Sequence, residues 1–173
     1  MEINVLVRRL SVDDDLGAIT ELLHSAYARR AADGLRYWAT HQNIGDTAKR
    51  FSQGVGFVAE VKGRIVGTIT VHPPRQNSEV PLYRNTNVWS LSQFGVSPEL
   101  QGRGIGRQLH DAAIAYAIQH GGEVAALDTA APANDLIEKY QRWGYRIVGE
   151  YDWRPLTNYP SVLMSKRIGP ESG

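Results

Sequence analysis

The stretch Val96-Ser-Pro-Glu-Leu-Gln-Gly-Arg-Gly-Ile-Gly106 carries a strand-like apolar run through a glycine-rich turn directly into a helix-forming segment. Glycines at 102, 104 and 106 allow a tight, positive-φ backbone that a ligand can approach closely, while the first helical N–H groups and the helix dipole face whatever lies there. A diphosphate fits such a nest. Two familiar nucleotide loops do not match: a Walker loop needs Gly-Lys-Ser/Thr where this chain has Gly106-Arg107-Gln108, and a dinucleotide loop needs G-x-G-x-x-G where this one runs G-x-G-x-G. On the glycines alone, a tight strand-to-helix turn with no ligand is the competing reading.

Downstream of the loop, a helix running to about Gln119 is apolar at Leu109, Ala112, Ala113, Tyr116 and Ala117, with Ile114 and Ile118 giving it a second apolar side. Gly121-Gly122 stops it. A strand over Glu123 to Asp128, a helix over about Ala133 to Trp143 with Gly144 as its left-handed cap, and a hairpin of Tyr145 to Trp153 with Ser161 to Arg167 follow. Residues 169–173 read as a frayed tail. Upstream, a strand over Asn4 to Arg9 leads to a capping box of Ser11 and Asp14 and a helix whose apolar face is Leu16, Ile19, Leu23, Ala26 and Tyr27. Ala28 to Asn43 is loop-like, and a short helix spans about Asp46 to Gln53. A hairpin pairs Val55 to Val61 with Ile65 to Val71 around Lys62-Gly63-Arg64, Arg75 to Thr86 reads as an exposed connection, and Asn87 to Val96 is the strand entering the loop.

The 173 residues are 42% hydrophobic and 21% charged, as expected of one compact soluble domain over residues 1–173. A net charge of +1 offers no field for nucleic acid or an anionic membrane. With no cysteine, thiolate catalysis and Cys-ligated metals are excluded. The five histidines lack any short ligand spacing, so no metal is expected. Apolar runs fall far short of the ~18 residues of a membrane span, and the start lacks a signal peptide's features, which gives a cytoplasmic location by default.

Gln101-x-x-Gly104-x-Gly106, preceded by Val96-x-Pro98, resembles the acyl-CoA pyrophosphate loop of the GNAT superfamily of N-acetyltransferases. A second patch, Asn134 with Tyr140 and Gly144-Tyr145, looks like that family's downstream motif, and the order of elements matches over about residues 4 to 167. The resemblance implies a single α/β domain whose mixed, largely antiparallel sheet of about seven strands is flanked by about four helices. It further implies acetyl-CoA as cosubstrate, held by Phe94, Gly95, Val96, Gln101, Gly102, Arg103, Gly104, Ile105, Gly106, Arg107 and Asn134, with the strand before the loop splayed from its parallel neighbour.

Acetyl transfer needs a donor for the carbonyl oxygen, a proton for the leaving sulfur and a neutral amine. The Val96 amide suits the first and Tyr140 the second, since a thiol near ~8.5 and a phenol near ~10 are close enough for transfer. Leu136, Tyr140 and Trp143 also fall at i, i+4 and i+7, so a core-packed tyrosine has the same pattern. Asn134 reads equally as a helix cap. Many relatives carry a glutamate on the strand before the loop, and the matching position here is Ser90. Glu60, His72, Glu79 or a water chain remain for the base, and a non-catalytic acyl-CoA-binding module is the alternative. The acceptor, a small-molecule or peptide amine, is assigned to the segment from Tyr27 to Gly54, with Tyr27, Tyr37 and Trp38 as its wall. The run Arg29-Arg30 argues for an acidic group on it. Monomer and homodimer are both compatible with this reading.

Overall fold

The structure, a computed structural model, describes residues 3–169. Seven strands form one sheet: β1 (Leu6–Arg9), β2 (Val55–Val61), β3 (Arg64–His72), β4 (Val88–Val96), β5 (Val124–Ala130), β6 (Arg146–Asp152) and β7 (Pro160–Arg167), in the order β1-β2-β3-β4-β5-β7-β6. Every neighbouring pair is antiparallel except β4 with β5, which is parallel. The helices are α1 (Leu16–Ala26), the short α2 (Ala28–Ala32), α3 (Ile44–Ser52), α4 (Ile105–Gln119) and α5 (Asn134–Arg142).

Hydrophobic burial covers both faces of the sheet. Ile19 and Leu23 of α1 and Phe51 of α3 pack with Val58 on one face, while Leu109, Ala113 and Ala117 of α4 and Ile137 of α5 pack with Phe57, Leu91 and Leu127 on the other. Strand β2 therefore buries Val58 as well as the alternating set Phe57 and Ala59.

Three expectations need correction. The first helix starts at Asp15, whose carboxylate accepts from the Gly17 and Ala18 N–H groups, whereas Ser11 and Asp14 close a preceding turn that Arg8 clamps. The segment from Ala28 to Asn43 contains α2 and a 3-10 turn at Trp38–Thr40, which are too short to set a periodicity. The connection from Arg75 to Thr86 is exposed only in part. Pro81 opens a 3-10 turn there, and Val80 and Tyr83 are buried against Val88, Ala126 and Leu163. At the other end Gly144 adopts the left-handed cap, and Gly169 is held by a backbone hydrogen bond to Glu123; the remainder of the expected frayed tail lies outside the described residues.

The middle of β4 is irregular. Thr68 pairs with Gly95 and Thr70 with Ser92, so Gln93 and Phe94 together oppose one residue of β3 and form a bulge, with Gln93 at φ 47°. That left-handed conformation is unfavourable for a side chain. A buried amide network holds it: Gln42 Nε2 donates to Gln93 Oε1 and to Thr47 Oγ1, both at 2.7 Å, Gln93 Nε2 donates to Thr70 Oγ1 at 3.1 Å, and Arg50 donates to Gln42 Oε1 at 2.9 Å. Replacing Gln42 by Leu keeps the volume and strands those partners, at about 1–3 kcal/mol for each buried group left unpaired. We expect Gln42→Leu to lower unfolding stability by at least about 2 kcal/mol in denaturant titration, and a loss below 0.5 kcal/mol would show that the network does not hold the bulge.

Candidate active site

The parallel pairing of β4 and β5 ends at Ser90 with Ala126, and beyond it the strands diverge. Backbone groups on the two inner edges then need partners from elsewhere. The Phe94 carbonyl accepts from the Tyr27 hydroxyl at 2.7 Å, and on the facing edge the Ala130 N–H donates to the Tyr37 hydroxyl at 3.2 Å, which also bonds Thr129 Oγ1 at 2.9 Å. The two rings touch, with centroids 5.2 Å apart. Tyr27 and Tyr37 thus form a wedge in the gap. Nearer the loop, the Ser97 N–H donates to Val66 on β3, so by strand alternation the Val96 N–H and carbonyl point into the gap. That carbonyl accepts from Gln101 Nε2 at 3.0 Å, while the N–H still faces the gap.

At the loop, Gly102 and Gly104 have φ of 81° and 84°, and a Cβ at either would meet nothing within 4 Å, so the space over the turn is open. Gly104 caps α4 without any side-chain hydrogen bond, and the first intrahelical bond is from Gln108 to Gly104. The N–H groups of Ile105, Gly106 and Arg107 consequently lack helical partners. Ile105 is buried beneath the turn, Gly106 abuts Phe94, and Arg103 is exposed beside it. Arg107 pairs loosely with Asp111 and lies 5.1 Å over the Trp143 ring. These residues fit a diphosphate-bearing cosubstrate: a cradle with no side chain in it, a free helix start and flanking guanidinium groups.

Asn134 begins α5 with an exposed side chain, but the cap residue is Ala133, which removes the capping explanation. The Tyr140 ring is in the core, edge-on to Trp143 and Tyr145, and yet it lines the cavity described next. Its hydroxyl makes no side-chain hydrogen bond among the described residues, and burial pushes the phenol well above its usual range, so it stays protonated.

On the face of the splay opposite α4 lies a cavity of about 390 Å³. Tyr27, Tyr37 and Trp38, expected as the acceptor wall, all line it. So do charged residues that the sequence did not single out: Asp46, Lys49 and Arg50 from α3, Arg75 from the connection after β3, and Asp128 near the end of β5. The only available signal for Asp128 was an acid ending an otherwise apolar strand. Arg50 lies 5.1 Å over the Trp38 ring, and Arg75 has a buried Nε without a hydrogen-bond partner. Burial draws both guanidinium pKa values down, and it pushes the Asp128 carboxyl up. Arg30, by contrast, is locked in an ion pair with Asp135 and Arg29 is exposed on α2, so neither lines this cavity.

Among the candidate bases, Glu60 pairs with Arg8 on the far strands, and Glu79 lines the cavity while accepting from Tyr151. Ser90 lines the cavity too. His72, 2% exposed, donates from Nδ1 to the Gln53 carbonyl at 3.0 Å and accepts at Nε2 from the Ser92 hydroxyl at 2.6 Å. Its free lone pair is therefore occupied. Burial, with the charge of Arg75 adding to it, brings the His72 pKa down to about 4.

Residues 17–145 match the family described as Acetyltransferase (GNAT) family. S-(2-succino)cysteine N-acetyltransferase of Bacillus subtilis (strain 168) is 32% identical over 162 residues, covering 92% of this chain and 94% of that protein. S-alkylcysteine N-acetyltransferase of the same organism is 25% identical, covering 94% and 89%. The crystal structure of a GNAT family acetyltransferase from Elizabethkingia anophelis with acetyl-CoA bound superposes with a TM-score of 0.65 at 14% identity, covering 95% and 98%. This chain belongs to the GNAT acetyltransferase family. It is an acetyl-CoA-dependent N-acetyltransferase. Among the described residues, no helix is long and apolar enough to cross a membrane.

The neutral His72 makes a prediction about stability. Folded, it titrates near 4, and unfolded near the usual 6.5, so between these values the unfolded chain binds the additional proton. Stability should fall as pH drops from about 6.5 towards 4, by up to about 3 kcal/mol from this group, and a His72→Gln variant should show a flatter dependence in denaturant titrations. A His72 ring signal titrating near 6.5 by NMR in the folded protein would contradict it.

Proposed function

We propose that the protein acetylates the α-amine of a small, carboxylate-bearing amino acid of the S-substituted cysteine type. The observation that carries this reading is the pair Arg50 and Arg75: both line the cavity, and neither has a carboxylate within ion-pair distance among the described residues. Guanidinium groups on an enclosed wall suit carboxylates through bidentate, charge-assisted hydrogen bonds. A volume of about 390 Å³ accommodates a metabolite better than a protein lysine in its surface context. The names of the two Bacillus relatives, both acting on cysteine thioethers, agree with such an acceptor.

In this reading the unpaired N–H groups at the start of α4 hold the cosubstrate's diphosphate, with Arg103 and Arg107 at the rim and Gly102, Gly104 and Gly106 leaving the backbone bare. The pantetheine arm follows Phe94 to Val96 along the edge of β4, with Asn134 across from it. The amine attacks the thioester carbon, and the Val96 N–H donates to the oxygen as charge builds there. As the carbon–sulfur bond breaks, Tyr140 donates a hydrogen bond and then its proton to the sulfur. Burial, which keeps the phenol protonated, also makes it a weak acid, so it acts late, on the departing thiolate. Tyr27, Tyr37 and Trp38 wall the acceptor from the side of α1.

A panel of amines tests the acceptor. S-carboxymethylcysteine and related carboxylated thioethers should be acetylated with a higher kcat/KM than their methyl esters or simple alkylamines, and Arg50→Leu should raise the acceptor KM about 10- to 100-fold with the acetyl-CoA KM unchanged. Equal rates for acids and esters would refute the carboxylate reading. Tyr140→Phe should retain the fold and acetyl-CoA binding and lose about 10²- to 10⁴-fold in kcat. Unchanged turnover at saturating substrates would leave Tyr140 a core residue only.

A further inference from the structure

Ser90 is the last residue of β4 paired with β5, opposite Ala126, and its hydroxyl is too weak a base to take a proton from an ammonium group. Side chains alternate along a strand, so the residue two beyond Ala126 projects from the same face as Ala126, one strand over from Ser90 and Ser92. That residue is Asp128. Its carboxylate lies deep in the acceptor cavity, where Oδ1 accepts from the Tyr83 hydroxyl at 2.6 Å and Oδ2 from Trp153 Nε1 at 3.1 Å. Both donors are neutral. No Lys, Arg or His nitrogen lies within 4 Å of it among the described residues, although Arg50 and Arg75 share the cavity. A carboxylate enclosed by protein without a cation is costly unless one is supplied, and the cavity is where an ammonium arrives.

We propose that Asp128 receives the acceptor's ammonium group and takes its first proton, performing from β5 the task that Ser90 cannot perform from β4. Asp128 takes one proton from R–NH₃⁺, leaving a neutral amine whose lone pair forms the N–C bond with the thioester carbon. The C–S bond breaks, the second proton lost by nitrogen balances the one that ends on sulfur, and Asp128 returns its proton to water through the cavity. One acetamide, one thiol and one released proton result. The assignment depends on amine acetylation and not on which acceptor is preferred.

Several charged or titratable groups face Asp128. Arg50 from α3 and Arg75 from the connection after β3 favour its charged form, and the hydroxyls of Tyr83, Tyr27 from α1 and Tyr159 from the β6–β7 loop are neutral at working pH. His72 on β3 is neutral above about 4. Asp46 and Lys49 of α3 and Glu79 also line the cavity. Burial moves the Asp128 carboxyl above its ordinary value, and the Tyr83 and Trp153 hydrogen bonds oppose that shift.

The test is a pH profile of kcat/KM with several turned-over amines of different basicity. In the wild type, one acid limb should stay at the same pH for every amine. Asp128→Asn should lower kcat/KM about 10²- to 10⁴-fold, leave the calorimetric Kd for acetyl-CoA within twofold, and replace the fixed limb by one that follows each amine's own deprotonation. Tyr83→Phe removes a hydrogen bond to the charged carboxylate and should move the fixed limb to higher pH, an outcome that decides the matter even if the Asn variant does not fold. An Asn variant with the wild-type profile and rate, or a Tyr83→Phe limb that does not move, overturns the role of Asp128. A wild type that acetylates only uncarboxylated amines overturns the acceptor reading and leaves the Asp128 result standing.

Discussion

The structure depends on two parallel strands parting in the middle of a continuous sheet. Once β4 and β5 cease to pair after Ser90 and Ala126, each inner edge exposes peptide groups that cannot be left unsatisfied inside the protein. The fold meets the demand with side chains from distant segments: Tyr27 on the β4 edge, Tyr37 on the β5 edge, and Gln101 folding back onto Val96. Each of these is a local cost of keeping the gap open.

The bulge in β4 belongs to the same constraint. It shifts the strand by one residue against β3, which places Phe94 and Val96 on the gap side with their carbonyls engaged and turns Gln93 inward. Gln93 accepts an unfavourable φ because Gln42 and Thr70 fix its amide. Gln42 also holds Arg50 in the cavity wall. A single buried amide thus links the backbone geometry of the β4 bulge to a cation in the cavity wall, which is why strain at Gln93 and charge at Arg50 cannot be treated separately.

The cavity itself is electrostatically incomplete. Arg50, Arg75 and Asp128 share the cavity with Asp46, Lys49 and Glu79, and among the described residues none of the six forms an ion pair, an arrangement that costs stability compared with closed ion pairs or apolar residues. Arg29 and Arg30, on which the expectation of an acidic acceptor rested, do not line the cavity: Arg30 is paired with Asp135 and Arg29 is exposed, whereas Lys49, Arg50 and Arg75 do line it.

Local chemistry was readable in the chain by itself. The glycine-rich turn, the helix after it, the two hairpins and the left-handed stop at Gly144 are each decided by residues within a few positions, through backbone freedom and hydrophobic period, and the loop's family resemblance followed from the same residues. The order of the strands and longer helices followed as well, though not the short α2 or the 3-10 turns. Tertiary structure alone decided what lines the cavity. Asp128 and Arg75 look like ordinary polar punctuation at strand ends, Tyr83 like part of an exposed connection, and Asp15 rather than Ser11 captured the first helix because its carboxylate reaches the right N–H groups. The cavity gathers α1, α3, the buried 3-10 turn, the ends of β3 and β5 and the final hairpin, segments up to more than a hundred residues apart. Such proximity leaves no period or spacing in sequence, because it is set by sheet order and by where two strands separate, and both are properties of the packed chain.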